Sequence, residues 1–286
     1  MKIQKGNQVF ITGAGSGIGR ATAMAMGQLG TRLFLTDINA RGLDETVALV
    51  SKAGGEVGRA KALDVTKLEE VRAFSDELHK DFGPMDMVMN IAGIALFALI
   101  EDMTHAHWEK VIKVNLWGPI HVMECFVPQM IRVKKGYLVN VASVAGLVGA
   151  PWHAAYSASK SGLVGISETL HFDLRQHNIG VTVVCPGAVA TPLTDSVEIL
   201  GINLEGEDVK EIKKEFMKHA IPPESAARQI IRAIERNQFL LITSWDVKFV
   251  YFCKRCFPPL FQYILTRISR LMNSGRYPQG TLPPGR

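Results

Sequence analysis

Short apolar runs alternate along the chain with longer stretches whose apolar positions recur every three or four residues. The short runs at Gln8–Thr12, Arg32–Asp37, Gly58–Leu63, Met85–Asn90, Gly136–Val141, Gly180–Cys185 and Gln238–Thr243 have the length and composition of strands. Helical periodicity occupies Ile18–Leu29, Ala40–Ala53, Leu68–Phe82, Ala106–Val133, Ala154–His177 and Glu224–Arg236. Segments such as VFIT, MVMN and VTVVC are apolar at successive positions, which suits strands buried on both faces of a parallel sheet. The alternation predicts an α/β fold: a doubly wound, parallel, seven-stranded sheet with right-handed crossovers. Residues 1–244 read as one domain, and 245–286 as a C-terminal amphipathic helical extension.

Composition narrows the class. With 286 residues, 47% hydrophobic and 21% charged, the chain can bury a large core without staples. Four cysteines cannot form a disulfide scaffold. The opening MKIQKGNQVF lacks the apolar region of a secretory signal, and no uninterrupted apolar run has the ~18 residues of a spanning helix, so a cytoplasmic location is expected. The net charge of +5 is uneven. Beyond Trp245, seven basic residues (Lys248, Lys254, Arg255, Arg267, Arg270, Arg276, Arg286) face one acid, Asp246. The tail therefore carries +6 and the first 244 residues −1, which excludes the main body as a nucleic-acid platform.

The first strand runs into TGAGSGIG, Thr12 to Gly19, and then a helix. The spacing is G-x-x-x-G-x-G, from Gly13, Gly17 and Gly19, rather than G-x-G-x-x-G. Glycines there let backbone approach a pyrophosphate, whose charge is favoured at the helix N-terminus. Ser16 and Ile18 complete the candidate loop, and Ser16 brings no cation to it. Asp37 ends the second strand 24 residues after Gly13, near the spacing of an acid that binds ribose hydroxyls. A carboxylate there repels a 2′-phosphate, so NAD is expected over NADP; Arg32 and Arg41 are the nearby cations that oppose this reading.

Tyr156 and Lys160 stand at i and i+4 in YSASK, on one face of a predicted helix. A phenol with a pKa of about 10 is a poor base at neutral pH, and a neighbouring ammonium lowers that value. Such a pair can exchange a proton with an alcohol or carbonyl. Ser143 lies 13 positions earlier, just past the fifth strand, at the sheet edge where ligands bind. Asn115 falls in KVNLWG, NIAG closes the fourth strand at Asn90–Gly93, and Pro186–Gly187 and Thr191–Pro192 follow the sixth.

Taken in order, TGAGSGIG, Asp64–Val65, NIAG, Asn115, Ser143, YSASK and PGAVATP resemble the short-chain dehydrogenase/reductase family over roughly Gln8 to Thr243. The resemblance implies a Rossmann-like fold, an NAD(P) cofactor and a homodimer or homotetramer built through the two long helices. It implies that Tyr156 is the general acid/base, that Lys160 lowers its pKa and binds the nicotinamide ribose, and that Ser143 orients the substrate oxygen. It assigns Asn115 a proton-relaying water, places Asp64 and Val65 beside the adenine, and gives Asn90, Ala92 and Gly93 to support of sheet and cofactor. Pro186, Gly187, Val189 and Thr191 complete the cofactor side, with Thr191 at the carboxamide.

The segments IALFALI (94–100) and VAGLVGAPWH (144–153) are apolar, so Leu96, Ala145, Trp152, His153 and Leu193 are expected to line the substrate side. A lipophilic secondary alcohol or ketone, steroid-like, terpenoid or long-chain, fits best. Thr194 to Ala220 is expected to form a lid. His105 and His107 lack a helical ligand spacing and are expected to be exposed, and Cys253-x-x-Cys256 has no second pair, so no metal site is expected. Cys125 and Cys185 read as small buried hydrophobes.

In the tail, apolar positions recur helically on both sides of Pro258–Pro259, with Lys248, Lys254, Arg255, Arg267 and Arg270 largely off the stripe. Two readings stand: packing on the chain's own body or a neighbouring subunit, and peripheral membrane contact through 245–272. Residues 273–286 read as a flexible end. The expected function is hydride transfer between NAD(H) and a lipophilic alcohol or ketone. The alternatives are an NADPH-dependent 3-oxoacyl-thioester reductase and a non-catalytic NAD-binding regulator.

Overall fold

The computed structural model describes residues 1–195, 197–200 and 220–273. The apolar runs form strands β1 (Gln8–Thr12), β2 (Arg32–Asp37), β3 (Glu56–Ala62), β4 (Met87–Asn90), β5 (Leu96–Phe97), β6 (Gly136–Val141), β7 (Ile179–Cys185), β8 (Glu198–Ile199) and β9 (Leu240–Ile242). Seven of them build one sheet in the order β3-β2-β1-β4-β6-β7-β9, and every pairing in it is parallel. Helices α1 (Gly17–Gln28), α2 (Ala40–Lys52), α3 (Leu68–Phe82), α4 (His105–Ile112), α5 (Gly118–Val133) and α6 (Ala154–Asp173) fill the crossovers.

Alternate strand residues point to opposite faces, and the core divides accordingly. Val9, Ile11, Leu33 and Leu35 pack with Met26 of α1, Val50 of α2, and Ile230 and Ile234 of the helix Pro223–Glu235. Phe10, Phe34, Val88 and Leu138 pack on the other face with Phe74 of α3 and Val122, Phe126 and Met130 of α5. A sheet covered on both faces cannot use an alternating polar pattern, which explains the apolar runs. The strand order reverses between β2 and β4 about β1, so the carboxyl ends of β1 and β4 flank the crevice where such sheets bind ligands.

The structure departs from the periodic pattern at instructive places. β3 begins at Glu56, two residues before its expected start, and β4 and β9 are shorter than their apolar runs. Met85 is buried beyond the β4 ladder, so hydrophobicity overstated the strand. The expected helix Ala106–Val133 is two helices joined by one π turn, Lys113–Trp117, which carries Asn115. The expected helix Ala154–His177 stops at Asp173 and closes through a 3₁₀ turn and Asn178 at φ 55°. The pair β5–β8 has no counterpart in the expected elements. The tail forms two helices, Trp245–Cys256 and Pro258–Asn273. The expected lid over 194–220 and flexible end over 273–286 lie largely outside the described residues.

Phe126 is 1% exposed and stacks on Phe10 with ring centroids 4.4 Å apart. Phe126→Ala removes this stack and leaves a cavity between α5 and the sheet. It lowers the unfolding free energy by about 3–5 kcal/mol, measured by urea unfolding.

Candidate active site

The carboxyl ends of the strands present the expected residues in one crevice. After β1 the chain turns at Gly13, whose φ is 68° and whose added Cβ would lie 2.7 Å from the Ala92 backbone. Any side chain there would drive β1 and β4 apart. The Thr12 hydroxyl accepts the amides of Ile91 (3.0 Å) and Ala92 (3.2 Å), which ties the loop after β1 to NIAG. Ser16 is the exposed N-cap of α1 and its side chain makes no capping bond. The amides at the start of α1 carry the partial positive charge that suits a phosphate. Gly17, at φ 49°, lies against Thr191, so the loop after β7 reaches the glycine turn.

Asp37 stands where its position at the end of β2 demands. One carboxylate oxygen accepts the Gly15 amide at 2.8 Å and the other the Asn39 amide at 2.8 Å. A Cβ at Gly15 would come within 2.8 Å of the carboxyl carbon, so the glycine cradle and the acid form one surface. The cations near it are engaged elsewhere. Arg20 binds Gly15 O, Gly42 O and Glu45, and Arg41 pairs with Glu45 at 3.4 Å. Arg32, expected to oppose the NAD reading, pairs with Glu56 at the far end of β2. At ~3.3 Å per residue, that end is about 16 Å from Asp37. A glycine-rich tight turn, a helix start whose amides are not capped by the Ser16 side chain and an acid at its rim fit a dinucleotide.

Other expected cofactor residues frame the same edge. Asp64 caps its own turn by accepting the Thr66 amide at 2.9 Å. Val65 packs against Gly118 of α5, and its carbonyl meets His121 at 2.9 Å. Asn90 is buried and donates to Asn140 at 2.9 Å across the β4–β6 register, a strut between strands. Pro186 O accepts the Val144 amide at 2.9 Å, Gly187 N–H donates to Thr243 at 3.4 Å, and Val189 is buried in a bridge with Ile221. Thr12 and Asn140 were not singled out from the sequence. Their signal was a polar residue inside an otherwise apolar strand.

Tyr156, Lys160, Ser143 and Asn115 converge. Lys160 is 4% exposed, its Nζ donates to Val141 O at 3.0 Å, and it lies 5.9 Å from the Tyr156 ring centre. The Ser143 side chain lies beside the Tyr156 phenol and accepts the Ala145 amide at 3.1 Å. Asn115 is fully buried. It accepts the Ile94 amide and donates to Ile94 O, both at 2.9 Å, and donates to Ser159 at 3.2 Å. Asn115 sits in the π turn between α4 and α5. At Gly93 a Cβ would meet Asn115 Oδ1 at 3.1 Å and Lys160 Nζ at 3.3 Å, so the missing side chain lets both approach one point.

Burial sets the charges. It lowers Lys160 from 10.5 to about 8, which leaves an ammonium at neutral pH. It raises Tyr156 above its usual 10, with the neighbouring Ser143 hydroxyl pulling the other way. Cys185, fully buried at the end of β7, is pushed up to about 12 by burial and stays a neutral thiol.

Ala95, Ala145 and Tyr156 pack with Phe97, Leu193 and Val197 into an apolar cluster beside this centre. Leu96, expected in that lining, packs instead with Val111 and Ala155. Strand alternation in β5 turns Leu96 inward and gives its place to Phe97, whose ring lies 5.8 Å from Tyr156 and 3.9 Å from His153. His153 Nδ1 lies 2.6 Å from Pro151 O, which can only accept, so Nδ1 carries the proton; burial keeps the ring neutral by lowering its pKa. Trp152 holds φ 68°, a strained geometry for a bulky side chain, and its carbonyl accepts the Ala98 amide at 2.8 Å. Of the other flagged residues, His107 is half-buried and caps α4 with Thr104, and Cys125 is half-buried rather than enclosed.

The buried lysine makes stability depend on pH. Between about 8 and 10.5 the unfolded chain holds a proton that the folded one has released, so the Lys160 contribution to stability rises with pH across that window. Below it the fold carries the full penalty. Lys160→Met, without added cofactor, is more stable than wild type at pH 7 by up to about 3 kcal/mol. That gain is reduced by roughly 1 kcal/mol for the lost bond to Val141. The difference shrinks as pH approaches 10.5. Urea unfolding at pH 7 and pH 10 measures it.

Residues 7–199 match the family model described as short chain dehydrogenase. The chain is 32% identical over 250 residues to the putative oxidoreductase SadH of Mycobacterium tuberculosis, covering 86% of this chain and 89% of that one. It is 37% identical over 195 residues to the 3-oxoacyl-[acyl-carrier-protein] reductase FabG of Thermotoga maritima (68% and 78%), and 32% identical over 256 residues to mouse epidermal retinol dehydrogenase 2 (88% and 79%). A Burkholderia phymatum short-chain dehydrogenase/reductase solved with NAD superposes with a TM-score of 0.76 at 28% identity, covering 99% of this chain and 100% of that one. A single-substitution variant of actinorhodin polyketide ketoreductase solved with NADPH gives 0.74 at 27%, covering 85% and 97%. With the glycine turn, the buried lysine and the phenol beside Ser143 assembled at one sheet edge, the chain belongs to the short-chain dehydrogenase/reductase family of oxidoreductases.

Proposed function

We propose that the protein interconverts a lipophilic secondary alcohol and its ketone, using NAD(H) in preference to NADP(H). The observation that carries the reading is Tyr156, beside Ser143 and set among Ala95, Phe97, Ala145 and Leu193. The nicotinamide of the bound dinucleotide supplies or takes the hydride. Gly13, Gly17, Gly19 and Ser16 hold its phosphates, and Asp37 accepts hydrogen bonds from its adenosine ribose. In reduction Tyr156 gives its phenolic proton to the carbonyl oxygen, and in oxidation the phenolate takes the hydroxyl proton. Burial keeps the phenol protonated at rest, which suits the acid role. Ser143 orients the substrate oxygen, and Lys160 and Asn115, meeting at Gly93, relay the proton outward.

The likeness to retinol dehydrogenase supports a lipophilic substrate, and the apolar company of Tyr156 supports it from the chain's own residues. The likeness to FabG favours a second reading, a 3-oxoacyl-thioester reductase working with NADPH. Asp37 separates the two, because its carboxylate repels a 2′-phosphate. The complete set of proton-handling groups argues against a cofactor-binding regulator.

Tyr156→Phe is expected to lower turnover at least about 100-fold while dinucleotide affinity stays within about tenfold. Stopped-flow hydride transfer over a panel of lipophilic alcohols, paired with a fluorescence titration of NADH, measures both; a variant that keeps most of its turnover would sink the assignment. Asp37→Ala is expected to lower the NAD-to-NADP ratio of kcat/KM by about 10–100-fold, the worth of hydrogen bonds to a charged group. A wild type that already prefers NADP would overturn the NAD reading and favour the second one.

A further inference from the structure

The helices Trp245–Cys256 and Pro258–Asn273 touch the body along a narrow line. Val247 and Phe261 join Leu147 and Val148 in one apolar cluster, and Lys254 Nζ donates to Leu147 O at 2.6 Å. Tyr251 packs on the same cluster, while much of the remaining apolar stripe faces outward. Trp245 is 77% exposed and Tyr263 62%, with Phe249, Phe252, Phe257 and Leu260 also exposed. Trp245 and Phe249 stack on each other at 5.8 Å instead of on the core. Single exposed apolar residues need no explanation, but a run of aromatics along two helices does.

The same face holds a groove of about 430 Å³ against the edge strand β9. Leu240, Ile242, Tyr251 and Phe252 line it, together with Lys248 and Arg255. Lys248, Arg255, Arg267 and Arg270 are all exposed, and Asp246 is the one acid between 245 and 273. Arg255 reaches the Tyr251 hydroxyl at 3.3 Å and lies within electrostatic reach of Glu168 on α6. No described helix is long and apolar enough to cross a membrane.

We propose that this face docks onto the surface of a bilayer carrying acidic headgroups. Apolar and aromatic side chains enter the boundary layer while the cations meet the headgroups, as an interfacial helix requires. Trp and Tyr suit that boundary because each has an apolar body and one polar tip. Charge decides between this occupant and a second copy of the chain. Pairing the face with itself sets four cations against four, whereas acidic headgroups complement them. The docking is independent of the substrate reading. The two meet in space, since Leu147 and Val148 follow Ser143 and Val247 fills the space beside Gly187.

The test is co-sedimentation of the full chain with vesicles of phosphatidylcholine alone and of phosphatidylcholine mixed with phosphatidylserine. The protein is expected to pellet with the mixed vesicles, to stay in solution with the neutral ones and to be released by salt. The charge-reversed pair Lys248→Glu/Arg255→Glu is expected to weaken partitioning at least about tenfold. Trp245→Ser/Phe249→Ser is expected to weaken partitioning onto the mixed vesicles at low salt, with wild-type thermal unfolding in each variant. Equal partitioning into both vesicle types, or into neither, overturns the proposal. So does a fall in oligomeric state for Trp245→Ser/Phe249→Ser in analytical ultracentrifugation without lipid, which would assign the face to a second copy.

Discussion

The turn after β1 lies against the end of β4 with no room for a Cβ at Gly13, and the site is arranged around that contact. The sheet order changes direction there, so the loops after β1 and β4 must diverge to opposite faces. The Thr12 hydroxyl holds them together by accepting the Ile91 and Ala92 amides. Everything at the carboxyl edge takes its position from this seam: Asp37 across the Gly15 backbone, Asn115 and Lys160 at Gly93, and Thr191 against Gly17.

The edge also concentrates groups that a fold optimised for stability alone would exclude. Lys160, Asn115 and Ser143 are buried, and the lysine is held by one carbonyl, Val141 O, while burial opposes its charge. Asn115 is satisfied by Ile94 and Ser159, and it sits where the helix widens by a π turn. The surrounding core, with Phe10 stacked on Phe126 and apolar residues on both sheet faces, supplies the stability against which these polar groups are set. Site and core are thus linked energetically: weakening the core lowers the tolerance for a buried lysine.

The C-terminal helices extend this arrangement outward. They rest on the loop that follows Ser143, through Val247, Phe261 and Lys254, and turn their aromatic stripe to solvent. A hydrophobic stripe therefore did not mean a buried one. Helical periodicity states that one face is apolar, while the partner of that face depends on what the rest of the chain brings near it.

The sequence by itself determined the layered α/β class, the succession of the main strands along the chain and the position of Tyr156 and Lys160 on one helical face, because each follows from local periodicity. It placed Gly13 and Asp37 for the same reason, since turn glycines and a strand-end acid are local features. Only the tertiary structure decided which of two neighbours faces the phenol: strand alternation chose Phe97 over Leu96, and β5 is too short to reveal its phase in sequence. It also broke the long helix at Asn115 and set burial as the largest influence on Tyr156. These outcomes depend on distances between residues far apart in the chain, and on how much water packing leaves beside each charge, neither of which is encoded in local spacing.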